Sequence, residues 1–288
     1  MTQKKPNRLT ACREFYAAMA AAGGGALREE LERAFEFVPR EHFLGVGPWL
    51  ALSPFAQSYV RTPTDDPIHV YQNLLFALDG EKHINNGEPF LHGQLLGALR
   101  PERGNVVLHV GCGTGYYTAI LAQLVGPSGK VIAYEIEADL ARRADKNLAP
   151  WDNVEVRCAS GVGNDLPHCD ALYVNAGATR PIAEWLDALS DGGRLVFPLS
   201  GSEASGVGVS LLVTRRKDSF AARVLGYCRF IACRDAFDDD EAACVAAAFR
   251  SGALWTAQSL IRNGQADDAA VLVGKGWWLS SSPPAGAV

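Results

Sequence analysis

The sequence has no run of about 18 apolar residues, the length a membrane-spanning helix needs, so no membrane partner is expected. Its first residues, "MTQKKPNRLTACREFY", lack the apolar stretch of a signal peptide, and a cytoplasmic chain is expected. Positive charge is not in excess. The net charge is −5, and the longest run of like charge is the acidic Asp238 to Glu241. No nucleic-acid partner is therefore expected, because phosphate binding needs a basic footprint. No C-x-x-C pair occurs, and the cysteine count, seven, is odd, so these residues read as reduced and mostly buried small hydrophobes. The six histidines, among them His83, His92 and His109, show no H-x-x-x-H spacing, and no metal is expected.

What is there suits an ordinary buried core. Of 288 residues, 48% are apolar and 20% charged, enough for one large domain or a domain with a cap. "ALREELERAFEFVPREHFL" has helical rhythm, with Leu27, Leu31, Ala34 and Phe35 on one face and Pro39 as its stop. Residues 45–70, rich in Pro, Gly and aromatics, read as irregular. A second helix is expected from Pro89, with Gly104 beyond its end.

From Asn105 apolar strands alternate with helices. "NVVLHV", "KVIAYEI", "NVEVRCA", "DALYVNAG" and "RLVFPLSG" are the strands. "GVGVSLLVTRR" and "SFAARVLGYCRFIAC", joined by "KDS", add an antiparallel pair expected at the sheet edge. The class is α/β: a doubly wound, Rossmann-like, seven-stranded sheet. Residues 1–104 form an N-terminal helical cap and ligand loop, 105–233 the nucleotide-binding domain, and 234–288 a helical extension whose last residues are expected to lack order.

"VLHVGCGTGYYTAIL" identifies the ligand class. Gly111, Gly113 and Gly115 are spaced G-x-G-x-G. A dinucleotide fingerprint would need a glycine where Tyr116 stands, and no G-K-[ST] follows for a phosphate loop. The second strand ends in Glu135, 22 residues after Gly113, where a carboxylate can accept both ribose hydroxyls of a nucleoside. An ordinary βα turn with a surface glutamate gives the same letters. The strand order favours S-adenosyl-L-methionine, with S-adenosyl-L-homocysteine as product.

Several segments in order resemble the protein-L-isoaspartate O-methyltransferase family: "AFEFVPREHFL", "VLHVGCGTGYYTAILAQLVG" with His109 where an acid is common, "DALYVNAGA" and "LSDGGRLVFPLSG". The resemblance runs to about Ile231 and leaves out the residues from Arg234. It implies a class I S-adenosylmethionine-dependent methyltransferase. It also implies two departures. Gly87 in "HINNGEP" stands where the family has a serine near the isoaspartyl carboxylate, and Ser160 in "ASG" stands where the family has an acid facing adenine. His92 matches a histidine found beside the cofactor in some members.

Asn86, His92 and Asn175 are the candidates for the catalytic site, and Asn85, Gly87, Gly111, Gly113, Gly115, Glu135 and Ser160 for cofactor binding. Asn85 and Asn86 can hold either the methionyl end of the cofactor or an acceptor carboxylate, or can simply form a polar Asn-Gly turn. His92 reads as a base or as a histidine satisfied by its own helix. Tyr59 and Tyr71 are placed at the mouth, Tyr173 in the core, and "GKGWWLS" as either a lid or a core segment. The expected activity is O-methylation of a carboxylate on a small molecule or modified peptide, with poor isoaspartyl repair. The alternatives are use of the cofactor's aminobutyl part, with release of methylthioadenosine, and a regulatory module without catalysis.

Overall fold

The computed structural model describes residues 7–54, 56–163, 165–202 and 206–285. In chain order its elements begin with α1 (Arg8–Ala21), α2 (Arg28–Phe37), β1 (Leu50–Leu52), β2 (Val60–Arg61), β3 (Leu75–Asp79), β4 (Ile84–Asn85) and α3 (Pro89–Leu99). The central run is β5 (Val106–Val110), α4 (Tyr116–Val125), β6 (Lys130–Glu135), α5 (Ala138–Leu148), β7 (Val154–Cys158), β8 (Cys169–Val174), α6 (Ala183–Ala188) and β9 (Leu189–Ser200). Then come β10 (Val207–Arg216), β11 (Ser219–Arg229), α7 (Asp239–Ser251), β12 (Ser259–Arg262), β13 (Ala270–Val273) and β14 (Trp277–Ser280).

The large sheet runs β13-β14-β12-β11-β10-β9-β8-β5-β6-β7. From β9 to β7 it is parallel, and from β9 outward to β13 antiparallel. The parallel strands are buried on both faces, which is why they read as apolar runs. Helix α4 fills the layer above β5, and every residue in it but Gln123 is buried. Each large apolar side chain so placed contributes roughly 1.5–3 kcal/mol.

Four expectations need correction. The pair β10 and β11 does not close the sheet, because β12, β14 and β13 continue beyond it. The extension is accordingly mixed: α7 is the helix expected, but "ALWTAQSLIRNG" is a short 3-10 turn (Ala253–Thr256) and then β12, and "GWW" opens β14. Glu241 fixes this arrangement. Its buried carboxylate accepts from Trp277 Nε1 at 2.8 Å, the Lys275 N–H at 2.9 Å and Arg180 at 3.1 Å. The tryptophans are therefore core, not lid. Within 45–70, β1 and β2 pair with each other and join β3 and β4 in a small antiparallel sheet, so the cap is not wholly helical. Helix α3 also stops early, at Leu99, where Arg100 enters left-handed backbone (φ 53°) before Pro101.

No helix among the described residues is long and apolar enough to cross a membrane. No cluster of potential metal ligands occurs among them either. Cys112, Cys169 and Cys228 are buried, Cys12 and Cys233 half-buried, and Cys158 and Cys244 exposed, so burial of the cysteines is less general than expected. The last three residues, expected to lack order, lie outside the described residues.

Candidate active site

The glycine loop sits at the carboxyl edge of β5. The N–H groups of Gly111 and Cys112 both donate to the Tyr134 carbonyl, at 2.9 and 3.2 Å, which pins the loop to β6. Gly113 has φ +58°, and a Cβ there would stand 3.2 Å from Leu78 Cδ1 of β3. Its N–H donates to Glu135 Oε2 at 2.7 Å, while Glu135 Oε1 accepts the Glu137 N–H at 3.0 Å. Burial pushes the Glu135 carboxyl up, and these backbone donors pull the other way. A carboxylate offers about four acceptor sites, so Glu135 retains room for ribose hydroxyls. Gly115 has a different task. A Cβ there would lie 2.6 Å from Leu148 Cδ1, so its bareness lets α5 pack against the loop.

Beneath the loop runs a buried polar chain. On α3, His92 pairs through Nδ1 with the Tyr173 hydroxyl at 2.7 Å and stacks on Tyr117 with centroids 3.6 Å apart. On β5, His109 pairs through Nδ1 with Thr118 Oγ1 and through Nε2 with Asn175 Nδ2, both at 2.8 Å. Burial drives His109 down to about 3, and burial, His109 and Arg40 hold His92 well below the ordinary histidine range. Both imidazoles are neutral at pH 7, and His92 is a weak base as a result. The network assigns the tautomer of His109: Nδ1–H donates to Thr118 and Nε2 accepts from Asn175. Asn175 Oδ1 is then buried with no partner among the described residues. Leaving such an acceptor unpaired costs about 1–3 kcal/mol. Asn175 follows the end of β8 and abuts Gly111, whose Cβ would lie 3.5 Å from the Asn175 carbonyl carbon. An orphaned acceptor beside a bare glycine loop fits the ammonium end of an adenosylmethionine.

The "HINNGEP" segment is organised by a residue that sequence reasoning passed over. Arg40 is fully buried, and no carboxylate among the described residues pairs with it. Its Nε donates to Asn86 Oδ1 at 3.0 Å, and its other nitrogens donate to the carbonyls of Val70, Gln72, Leu74 and Gly87 at 2.9, 2.8, 2.7 and 3.2 Å. Asn85 Oδ1 accepts the Gly87 N–H at 2.9 Å, and Tyr59 hydrogen-bonds Asn85. Both asparagine oxygens therefore hold the loop itself. The only available signal for Arg40 was the "VPRE" segment. Tyr71 is not at the mouth: it is buried, with its hydroxyl on Glu41 and Arg13.

Ser160 lies just past β7, and its hydroxyl donates to Asp235 Oδ2 at 2.5 Å. This pairing leaves no local pattern, because the partners stand 75 residues apart. Glu137 bridges Lys82 and Arg234 alongside.

A family profile described as "Protein-L-isoaspartate(D-aspartate) O-methyltransferase (PCMT)" matches residues 23–237, past the expected end near Ile231. A protein-L-isoaspartate O-methyltransferase of Pyrobaculum islandicum is 33% identical over 213 residues, 72% of this chain and 91% of that protein. One from Thermotoga maritima is 26% identical over 67% of this chain, which spans only about half, 54%, of that longer protein. Among solved structures, a protein-L-isoaspartate O-methyltransferase shares the fold at a TM-score of 0.63 and 24% identity, covering 76% of this chain and 65% of that one. Another, from Plasmodium falciparum in complex with S-adenosyl-L-homocysteine, gives a TM-score of 0.60 at 17% identity over 80% of this chain and 100% of that one. Matched across most of its length by the profile, the chain belongs to the protein-L-isoaspartate O-methyltransferase family.

Proposed function

We propose that this chain is an S-adenosylmethionine-dependent O-methyltransferase acting on a carboxylate of a peptide or protein, with an acceptor end reshaped at Gly87. The carrying observation is Glu135, buried at the end of β6 and tied through Oε2 to the Gly113 N–H. Glu135 would receive the ribose hydroxyls, and Asn175 Oδ1 the ammonium. When bound, the cofactor supplies an electrophilic methyl group. A carboxylate acceptor is already ionised at pH 7, so the chain's residues orient rather than deprotonate it. Arg40 carries a charge that its carbonyl partners do not neutralise, directly behind Asn86 and Gly87. Its field favours an anionic group at the loop. His92 and His109, both neutral, add no charge of their own.

The family's named activity is methyl transfer. No feature among the described residues favours use of the aminobutyl part, a small-molecule acceptor or a purely regulatory role. The test is calorimetry with S-adenosylhomocysteine, followed by turnover on a panel of carboxylate-bearing peptides with S-adenosylhomocysteine as the measured product. Binding in the micromolar range and acceptor-dependent product formation are expected. Failure to bind, or methylthioadenosine forming without an acceptor, would overturn the reading.

A further inference from the structure

The nucleoside end of the site has a recognition element outside the parallel strands. Strand β7 lies beside β6, with Cys158 opposite Glu135. Ser160, two residues on, therefore stands next to Glu135 along the carboxyl edge. Ligands of such sheets lie across this edge. A nucleoside whose ribose meets Glu135, with its sulfur end at the β5 loop, extends its base over β7.

The polar group fixed there is the Asp235 carboxylate, which receives the Ser160 hydroxyl at 2.5 Å. It is exposed, yet its backbone is pinned on both sides. The Ile231 carbonyl accepts from Gly177 at 2.7 Å, the Cys233 N–H donates to Gly177 at 2.8 Å, and the Ala236 carbonyl accepts from Thr179 at 3.0 Å. Arg234 next to it holds Glu137 at 2.5 Å. The segment is thus anchored beside the end of β8, and its Arg234 and Asp235 side chains reach Glu137 just past β6 and Ser160 just past β7.

A carboxylate there accepts hydrogen bonds and donates none. The exocyclic amine of adenine donates, and the carbonyl that replaces it in hypoxanthine only accepts. Resting on the cofactor reading above, we infer that Asp235, held by Ser160, reads the adenine amine and sets the preference of this chain for an adenosyl ligand.

The experiment is calorimetry of the full chain with S-adenosylhomocysteine and with S-inosylhomocysteine, its deaminated analogue. Wild-type protein should prefer the adenine compound by about 10- to 100-fold, the range for a hydrogen bond to a charged group. Asp235→Ala should shrink that preference to under about threefold. Asp235→Asn keeps the shape and the Ser160 contact, and its amide can donate to the inosine carbonyl, so it should narrow the preference too. Thermal melts of both variants confirm folding. An undiminished preference in both folded variants would overturn the assignment of Asp235 alone. No binding of either compound to wild type would overturn the cofactor reading and this assignment together.

Discussion

His92 Nε2 occupies the place where a side chain on residue 87 would begin: an ideal Cβ at Gly87 would lie 2.2 Å from it. Gly87 also has φ +74°, which side chains rarely adopt. The serine of the wider family cannot be restored here by a simple swap. Gly87→Ser should destabilise the fold by about 1–3 kcal/mol in urea denaturation and should not raise turnover of an isoaspartyl peptide. Wild-type protein should itself be poor on that peptide beside a serine-bearing relative assayed in parallel. Robust turnover by wild type, or a stable and faster serine variant, would contradict this.

Glu135 and Gly113 should fail differently. Gly113→Val places a branched residue at φ +58° against Leu78 and should abolish S-adenosylhomocysteine binding. Glu135→Ala should weaken it by about 1.5–3 kcal/mol. Calorimetry reads both. An Ala variant within a few tenths of a kcal/mol of wild type would place the ribose elsewhere.

Stability should fall in acid through the buried histidines. His109 is held at about 3 by burial, against about 6.5 in an unfolded chain. Between those values the unfolded state binds more protons. Stability is therefore full above pH ~6.5 and is lost as pH falls toward 3. His109 alone should give a slope approaching about 1.4 kcal/mol per pH unit. Denaturation of wild type and His109→Gln from about pH 6.5 to 4.5 should show a shallower slope in the variant. Parallel curves would mean that His109 does not stay neutral in the fold.

Arg40 should be among the costliest single residues to remove. Arg40→Met strips donors from Asn86 Oδ1 and from four carbonyls. A loss of about 3–5 kcal/mol is expected, with Arg40→Lys in between, because an ammonium has fewer donors and no fork. A loss under about 1 kcal/mol in the Met variant would show that water replaces the guanidinium.

The parallel core was legible because buried strands and helices of such sheets write their periods directly into the sequence. The small sheet of the cap was not. Its strands are only two to five residues long, so no period accumulates. Strand β12 was hidden for a related reason: "SLIR" is short, and what makes it a strand is pairing with β11 and β14, far away in sequence. The site divides the same way. Gly111, Gly113 and Glu135 follow local rules of loop and strand end. Arg40, Asp235 and the orphaned Asn175 oxygen depend on contacts that only the folded chain makes.

The order β11-β12-β14-β13 imposes a schedule on the newborn chain. Among the described residues, β13 pairs into the sheet only through β14, although β14 follows it in the chain. Until β14 has formed, β12 presents one bare edge and β13 has no strand to pair with. An unpaired edge is an invitation to another chain. A chain that lost residues 277–280 would therefore keep β12 as an open edge and should associate with other copies of itself.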